Sequence, residues 1–281
     1  MDIIGQSQTG TGKTAAFALP IIEAIDPKMR AVQAIVLTPP TRELALQVAD
    51  EIKSLRGRKR VYVYAVYGGQ PIGPQIRALE RGGTHVVVGT PGRVLDHIRR
   101  GTLDLSSVKF FILDEADRML DMGFIDDIEA IFRETPPKEK RVLMFSATMP
   151  PPEIKRLARR YMSNHEVISV SSDELVPEMV DQEYVEVVPA RKFGVLKKIL
   201  DDDFYGIVFC ATKRETRELS ERLRRAGYSA EALNGDMSQA ARERAFWRFK
   251  TRRTRVLVAT DVAARGLDVQ DISTSSTTPC P

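Results

Sequence analysis

A glycine-rich turn near the amino terminus carries side chains suited to holding a phosphate chain. Residues 7–14 read Ser-Gln-Thr-Gly-Thr-Gly-Lys-Thr, after a short apolar run and before a series of good helix formers. A strand, a glycine-rich turn and a helix in this order form the context of a phosphate-binding loop. The glycines let backbone N–H groups surround an anion at the positive end of the helix. Lys13 is then expected to contact the β- and γ-phosphates, and the Thr14 hydroxyl to ligate Mg²⁺.

This turn predicts a nucleotide site with one small departure from the usual pattern. Ser7 stands where the pattern normally has its first glycine, five residues before Gly12. The residues expected to bind the nucleotide are Gln8, Thr9, Gly10, Thr11, Gly12, Lys13 and Thr14.

Two adjacent carboxylates give a second signal for nucleotide chemistry. The apolar run Phe110 to Leu113 is followed at once by Asp114-Glu115-Ala116-Asp117. A strand covered on both faces would end there, at the sheet edge where α/β proteins bind ligands. An aspartate at this place serves Mg²⁺, and Glu115 is well placed to orient or deprotonate an attacking water. Asp114 is therefore a predicted metal ligand together with Thr14, and Lys13, Asp114 and Glu115 form a predicted catalytic set.

The elements that must position these residues alternate between strands and helices. Short apolar runs predict strands at 34–37, 61–66, 85–88, 110–113 and 142–145, and later at 206–210, 229–233 and 256–260. Helical stripes lie between them, for example Leu44, Val48, Ile52 and Leu55, with Thr41 as the predicted N-cap. This alternation predicts an α/β fold with doubly wound parallel sheets. The pattern loosens in the middle, so we expect a first domain at 1–168, a linker at 169–180 and a second domain at 181–281.

The composition excludes several classes of protein. The chain has 281 residues, 43% of them hydrophobic and 28% charged, which favours a globular protein over a disordered one. Two cysteines exclude a disulfide framework, and no apolar run reaches the roughly 18 residues of a membrane span. Met1 leads directly into a predicted strand instead of a signal peptide, so a cytoplasmic protein with no membrane partner is expected. A net charge of +4 permits a polyanionic partner without requiring one.

Some conspicuous residues have simpler interpretations. His85, His97 and His165 belong to no cluster and are interpreted as structural. The basic run Arg56 to Arg60 is interpreted as a solvated helix end, and Asp201-Asp202-Asp203 likewise.

Taken together, the motifs resemble those of DEAD-box ATP-dependent RNA helicases, most closely the bacterial cold-shock or degradosome-associated type. Asp114 to Asp117 spell the block that names the family, and residues 7–14 resemble its motif I. The other matching blocks are Pro40 to Leu44 (motif Ia), Gly68-Gly69, Thr90 to Arg93 (motif Ib), Ser146 to Thr148 (motif III), Val208 to Cys210 (motif IV), Gln239 with Arg242, and Thr260 to Asp268 (motif V). The resemblance covers nearly the whole chain up to Asp271.

The resemblance implies two RecA-like domains, with ATP and Mg²⁺ in the cleft between them and RNA across both. It implies RNA phosphate and sugar contacts, independent of base sequence, from Thr41, Arg42, Gly69, Thr90, Gly92 and Arg93 on the first domain. On the second domain, Gln239, Arg242 and Thr260 resemble positions in the RNA site or at the domain interface. Asp261 and Arg265 resemble groups that approach the nucleotide, and Ser146 and Thr148 resemble those that couple the ATP state to domain closure. Degradosome or ribosome-assembly proteins are partners expected from the family alone.

Three features depart from the family pattern. The aromatic and glutamine that read adenine upstream of motif I have no counterpart here, and Pro39-Pro40 appears to add one residue before Thr41. The His-Arg-x-Gly-Arg block of motif VI, which carries the arginine fingers, does not follow motif V. The second domain is therefore expected to be incomplete, with an uncovered sheet edge.

The last eight residues suggest a reason for the third departure. Residues 274–281 do not resemble a strand. Members of the family usually continue here with a sequence such as His-Val-Ile-Asn-Tyr-Ala-Leu-Pro. With one choice of codons for that sequence, a shift of the reading frame by one base gives residues 274–281 as they stand here. A frameshift is a hypothesis that sequencing the gene onward would test.

Two functions from different classes follow. One is an RNA-stimulated ATPase that separates RNA strands locally. The alternative is a module that binds nucleotide, RNA or both with little turnover, because motif VI is absent. A DNA helicase is less favoured, since the Asp-Glu-Ala-Asp and Pro-Thr-Arg-Glu-Leu blocks take the form found in RNA helicases.

Overall fold

The computed structural model divides the chain into two compact units, Met1–Pro177 and Glu178–Pro281. It describes residues 1–6, 12–137, 140–146, 152–169, 183–200, 204–264, 272 and 274–278. The units are treated separately below. None of the helices in these ranges is both long and apolar enough to cross a membrane.

The first unit is built on a seven-stranded parallel sheet in the order β3-β4-β2-β5-β6-β1-β7. Its strands are β1 (Ile3–Gln6), β2 (Ala34–Leu37), β3 (Val63–Val66), β4 (Val86–Gly89), β5 (Phe110–Leu113), β6 (Arg141–Ser146) and β7 (Glu166–Ser169). Its helices are α1 (Lys13–Ala24), α2 (Arg42–Leu55), α3 (Gly73–Glu80), α4 (Pro91–Arg99), α5 (Ala116–Asp121), α6 (Ile125–Arg133) and α7 (Pro152–Tyr161).

Helices cover both faces of this sheet, which explains the continuous apolar runs in the sequence. Along β2, Ile35 and Leu37 belong to one buried cluster, while Ala34 and Val36 belong to another on the opposite face. Successive side chains of a strand point to opposite faces, so a strand buried on both sides must be apolar at every position. The central strands β2, β4 and β5 are buried throughout.

The second unit has a four-stranded parallel sheet in the order β11-β8-β10-β9. Its strands are β8 (Gly206–Cys210), β9 (Ala230–Leu233), β10 (Val256–Thr260) and β11 (Thr274–Thr278). A short 3₁₀ helix (Pro189–Arg191) precedes α8 (Lys192–Ile199), and α9 (Lys213–Arg225), α10 (Gln239–Lys250) and α11 (Asp261–Ala264) follow. The predicted α/β class with two doubly wound parallel sheets is therefore confirmed.

One expectation about the second unit is wrong. Residues 274–278 form strand β11, which pairs in parallel with β8 from Gly206 to Cys210. Strand pairing is made by backbone N–H and C=O groups, which polar residues supply as well as apolar ones, and threonine is a good strand former. The expectation that the tail does not form a strand is therefore wrong for residues 274–278, and β11 is the strand at the β8 side of the described sheet.

Three smaller interpretations also change or fall outside the described residues. Ser169, the first residue of the predicted linker, is the last residue of β7, and 170–182 are not among the described residues. Lys59 is more than a solvated helix end, because its ammonium donates to the carbonyls of Ile22 and Glu23 at 2.5 and 2.7 Å, in the last turn of α1. The aspartates at 201–203 lie outside the described residues.

Candidate nucleotide and RNA sites

The strand order of the first unit brings the predicted nucleotide residues together at the carboxyl ends of neighbouring strands, which are called the carboxyl edge of the sheet below. Strand β6 lies between β5 and β1, with Met144 beside Leu113 on one side and Ile4 on the other. All strands are parallel, so their carboxyl ends meet at the same edge. Asp114 follows β5, Ser146 ends β6, and the turn into α1 follows β1.

The turn into α1 is described from Gly12 onward. Gly12 is the N-cap of α1 with a φ of 85°, a left-handed conformation that favours glycine, and Lys13 and Thr14 form the first turn. The free N–H groups and the dipole of such a helix start attract anions. The predicted contacts Gln8, Thr9, Gly10 and Thr11 lie outside the described residues, as does Ser7.

Asp114 is a buried carboxyl group with unusual electrostatics. It is 5% exposed, and one of its oxygens accepts a hydrogen bond from the Glu115 N–H at 3.1 Å. Burial, followed by the nearby charge of Glu115, raises its pKa to about 7, while Lys13 acts in the opposite direction. Burying an ionised carboxylate is costly unless a cation accompanies it.

The residues present fit Mg²⁺ as the accompanying cation. The Asp114 carboxylate and the Thr14 hydroxyl are oxygen donors, the ligand type that Mg²⁺ prefers, and Mg²⁺ usually keeps several waters and binds substrate phosphates alongside one or two carboxylates. The burial of Asp114 fits the same cation, because burial raises the pKa of this carboxyl group and a bound cation would stabilise its charged form.

Glu115 has a different environment from its neighbour. It is half-buried and lies at the N-cap of α5 with a φ of 49°. A left-handed conformation is uncommon for a residue with a side chain, and such strained residues cluster at functional sites. The turn thus separates two carboxylates into a buried one and a more accessible one.

The remaining predicted residues of the nucleotide edge are only partly described. Ser146 is buried at the end of β6, between the strands that lead to Asp114 and to α1. Thr148 lies outside the described residues.

The predicted RNA contacts of the first unit gather at the other half of the same edge. Strands β3, β4 and β2 are neighbours in the sheet, and the blocks that follow them are Gly68-Gly69, Thr90 to Arg93, and Thr41 with Arg42. Gly69 and Gly92 are exposed, whereas Arg42 and Arg93 are half-buried. Gly69 has a φ of 79°, so the turn after β3 requires a glycine there.

Thr41 and Thr90 are less accessible than the other members of this set. Each is 5% exposed. Thr41 is the N-cap of α2 by position, but its side chain makes no capping hydrogen bond, and its hydroxyl is buried without a hydrogen-bond partner. The prediction that Thr41 is the N-cap of this helix is confirmed by its position.

Other side chains at this half of the edge were not singled out from the sequence. The ring of Tyr67 lies under the Arg42 guanidinium at 5.3 Å, and buried Gln75 contacts Tyr67, Arg93 and His97. Of the histidines interpreted as structural, His85 and His97 are buried and hydrogen-bonded.

In the second unit, several predicted residues follow neighbouring strands β9 and β10. Thr260 ends β10 and is buried, and Asp261 is exposed at the start of α11. Arg242 lies half-buried in the first turn of α10, which Gln239 begins. Arg265 and the Gln239 side chain lie outside what the structure describes. Asn234, which no sequence motif indicated, follows β9, is buried and donates to the Thr216 hydroxyl at 2.8 Å.

Comparison with protein families identifies the chain from its first unit. The family model for DEAD/DEAH box helicases matches residues 1–157, and the helicase conserved C-terminal domain matches 191–276. The chain belongs to the DEAD-box helicase family. The resemblance found in the motifs is thereby confirmed at the level of the family.

Curated relatives are similar over almost the whole chain. It is 50% identical over 273 residues to a probable ATP-dependent RNA helicase of Methanocaldococcus jannaschii, covering 97% of this chain and 72% of that protein. It is 51% identical over 274 residues to the DEAD-box ATP-dependent RNA helicase CshA of Geobacillus kaustophilus, covering 97% of this chain and 58% of that protein. The chain thus spans between half and three fifths of the CshA relatives it matches.

Two solved structures share the fold of this chain. A DEAD box protein from Methanococcus jannaschii is 49% identical with a TM-score of 0.57, and the match covers 100% of this chain and 75% of that one. Saccharomyces cerevisiae Dbp5 bound to RNA and ADP BeF3 is 32% identical with a TM-score of 0.83, and the match covers 98% of this chain and 69% of that one.

Proposed function

We propose that this protein is an RNA-stimulated ATPase that binds ATP with Mg²⁺ and single-stranded RNA at the carboxyl edge of the first sheet, and couples hydrolysis to local separation of RNA strands. One observation supports the proposal: the residues predicted to bind nucleotide follow β5, β6 and β1, and those predicted to bind RNA follow β3, β4 and β2, all at the carboxyl ends of one parallel sheet. The two ligands would then lie side by side on one rigid scaffold.

The residues at the nucleotide half of the carboxyl edge have different proposed roles. The helix start at Gly12, the Lys13 ammonium and the Thr14 hydroxyl would hold the phosphates, with Asp114 and Thr14 on the metal. When bound, Mg²⁺ supplies charge neutralisation of the phosphate oxygens. Glu115, the more accessible carboxylate, would orient the attacking water and accept its proton. Ser146 and Thr148 would link this half to domain closure, and Asp261 and Arg265 would approach from the second unit.

The RNA half suits recognition of the backbone. Exposed glycines at 69 and 92 offer N–H groups to phosphates without a side chain in the way, and Arg42 and Arg93 offer guanidinium groups. Thr41 and Thr90 complete the set on the first unit, and Gln239, Arg242 and Thr260 would extend it on the second. Contacts of this kind carry little base information, so binding should be independent of sequence. The RNA-bound Dbp5 relative supports this proposal.

Two substitutions test the proposal by separating the ligands. Lys13→Ala should abolish binding of a non-hydrolysable ATP analogue in calorimetry while leaving nucleotide-free RNA binding intact. Arg93→Ala should weaken RNA binding, measured by fluorescence anisotropy, while leaving analogue binding intact. The control substitutions are Lys28→Ala and Arg99→Ala, two exposed basic residues that lie away from the carboxyl edge. Unchanged analogue affinity in Lys13→Ala, or unchanged RNA affinity in Arg93→Ala, would refute the corresponding half.

A further inference from the structure

Gln75 is a polar residue buried among the predicted RNA-binding blocks. It lies in α3, is 1% exposed, and is surrounded by the turn after β3 and the start of α4. Its amide nitrogen donates to the Tyr67 carbonyl at 3.0 Å. Its amide oxygen accepts from the Arg93 guanidinium at 3.1 Å and lies 3.1 Å from the His97 ring nitrogen Nε2. Tyr67 directly precedes the Gly68-Gly69 block and Arg93 belongs to the Thr90 to Arg93 block, so two of the three partners adjoin or belong to blocks predicted to bind RNA.

Only one orientation of the Gln75 amide satisfies these partners. A backbone carbonyl accepts and a guanidinium donates, so the NH₂ group must face Tyr67 and the oxygen must face Arg93. His97 must then carry its proton on Nε2, leaving Nδ1 toward the Thr102 hydroxyl at 2.8 Å. Burial, followed by the charge of Arg93, lowers the pKa of His97, in agreement with a neutral ring in this network.

Arg93 has a second fixed contact. Its other terminal nitrogen donates to the Gln70 carbonyl at 2.9 Å. The planar guanidinium therefore spans two acceptors, the Gln75 amide and the turn that contains Gly68-Gly69. These two hydrogen bonds fix the plane of the guanidinium group. They use two of its five N–H donors.

The same glutamine also supports Arg42 through Tyr67. Gln75 holds the Tyr67 carbonyl, and the Tyr67 ring lies under the Arg42 guanidinium. One buried amide thus connects the turn after β3, the start of α4 and the start of α2, which are the three predicted RNA blocks of the first unit.

We propose that Gln75 is a positioning residue for RNA binding: it holds Arg93 and the Gly68-Gly69 turn in the geometry that receives RNA phosphates, without touching RNA itself. The inference rests on the proposed function of this sheet edge. Preorganised donors bind an anion without the entropy cost of ordering flexible side chains, so loss of Gln75 should be felt as loss of RNA affinity.

The first experiment uses Gln75→Met, which keeps the length of the side chain and removes its polar atoms. RNA affinity should fall by about tenfold, the scale of one misplaced charge-assisted hydrogen bond. Affinity for a non-hydrolysable ATP analogue should stay unchanged. Gln33→Met is the matched control: Gln33 is also fully buried and bonds to the backbone of Asp26, but it precedes β2 at the opposite edge. Gln33→Met should keep wild-type RNA affinity.

A double variant shows whether Gln75 acts through Arg93. In an Arg93→Ala background, Gln75→Met should cause little further loss of RNA affinity, because the group it positions is gone. Losses that add in the double variant would overturn the proposal, as would equal RNA losses in Gln75→Met and Gln33→Met. If Arg93→Ala itself leaves RNA binding unchanged, the proposed function of this edge fails instead.

A second substitution avoids the buried position altogether. Arg93→Lys keeps the positive charge at a half-buried site but cannot span the Gln75 and Gln70 acceptors with a planar fork. It should bind RNA more weakly than wild type. Wild-type affinity in Arg93→Lys would show that charge alone suffices and would overturn the positioning role of Gln75.

Discussion

Asp114 and Glu115 are adjacent in the chain, yet their surroundings give the two carboxyl groups different properties. Asp114 is buried with a pKa raised to about 7, whereas Glu115 is half-buried on a left-handed turn at the start of α5. A buried carboxylate beside Lys13 suits a cation, and an accessible one suits proton transfer with water. The difference in burial supports distinct roles for the two residues.

Replacing Glu115 tests this division. Glu115→Gln should leave affinity for a non-hydrolysable ATP analogue nearly intact and slow hydrolysis by about 10²-fold or more, the scale for losing a general base. Calorimetry measures the first quantity and phosphate release the second. Glu134→Gln, an exposed position just after α6, should change neither. If binding falls as much as turnover, Glu115 is a ligand or a structural residue.

Helix α4 provides a prediction about pH. Burial lowers the pKa of His97 below the 6.5 of an ordinary histidine, and the charge of Arg93 acts in the same direction. The unfolded chain therefore binds more protons, so this residue stabilises the fold above about pH 6.5 and loses that contribution as the pH falls. His97→Gln should reduce the drop in melting temperature between pH 7.5 and 5.5. Burial also lowers the pKa of His85, so part of the drop in melting temperature should remain in His97→Gln.

A matched histidine serves as the control for this measurement. His165 is exposed in the same unit, so His165→Gln should melt with the wild-type dependence on pH. A pH dependence that is equal in the wild type and in His97→Gln would contradict the assigned contribution.

Strand β11 makes a prediction about hydrogen exchange. Because residues 274–278 pair with β8, their backbone amides should exchange more slowly than those of an unstructured chain. Exchange followed by mass spectrometry on the corresponding peptide gives the result directly. Exchange of this segment at the rate of a random coil would show that β8 is an edge strand in solution.

The strands and helices show which parts of the fold could be predicted from the sequence alone. Strands buried on both faces appeared as apolar runs, and the order of strands and helices was enough for the fold class. Strand β11 was missed because its pairing depends on backbone groups that no side-chain pattern reveals. The contacts of Gln75, on which its proposed role rests, were not predicted because its partners are 8, 18 and 22 residues away and meet only in the folded structure. Gly12, Lys13 and Asp114 could be predicted as site residues because their chemistry follows from local spacing.

At the scale of the whole molecule, the net charge of +4 is modest, so we expect RNA binding to depend on local basic groups. RNA affinity should be independent of base sequence and should weaken with salt, because phosphate contacts release counterions. Arg93→Ala should lower the slope of log affinity against log salt by about 0.7, the value for one phosphate on a single strand. Arg99→Ala, at the far end of the same helix, should keep the wild-type slope. A loss in Arg93→Ala that depended on base identity would contradict backbone recognition.

The central claim is that one sheet edge joins ATP chemistry to RNA binding, and steady-state ATP hydrolysis tests it most directly. Hydrolysis by the 281-residue chain should be measured without RNA and with unrelated single-stranded RNAs. The account predicts that every RNA stimulates hydrolysis to a similar extent, and that Arg93→Ala raises the RNA concentration needed for half-maximal stimulation. Hydrolysis that does not respond to RNA, or a response that Arg93→Ala leaves unchanged, would contradict the account.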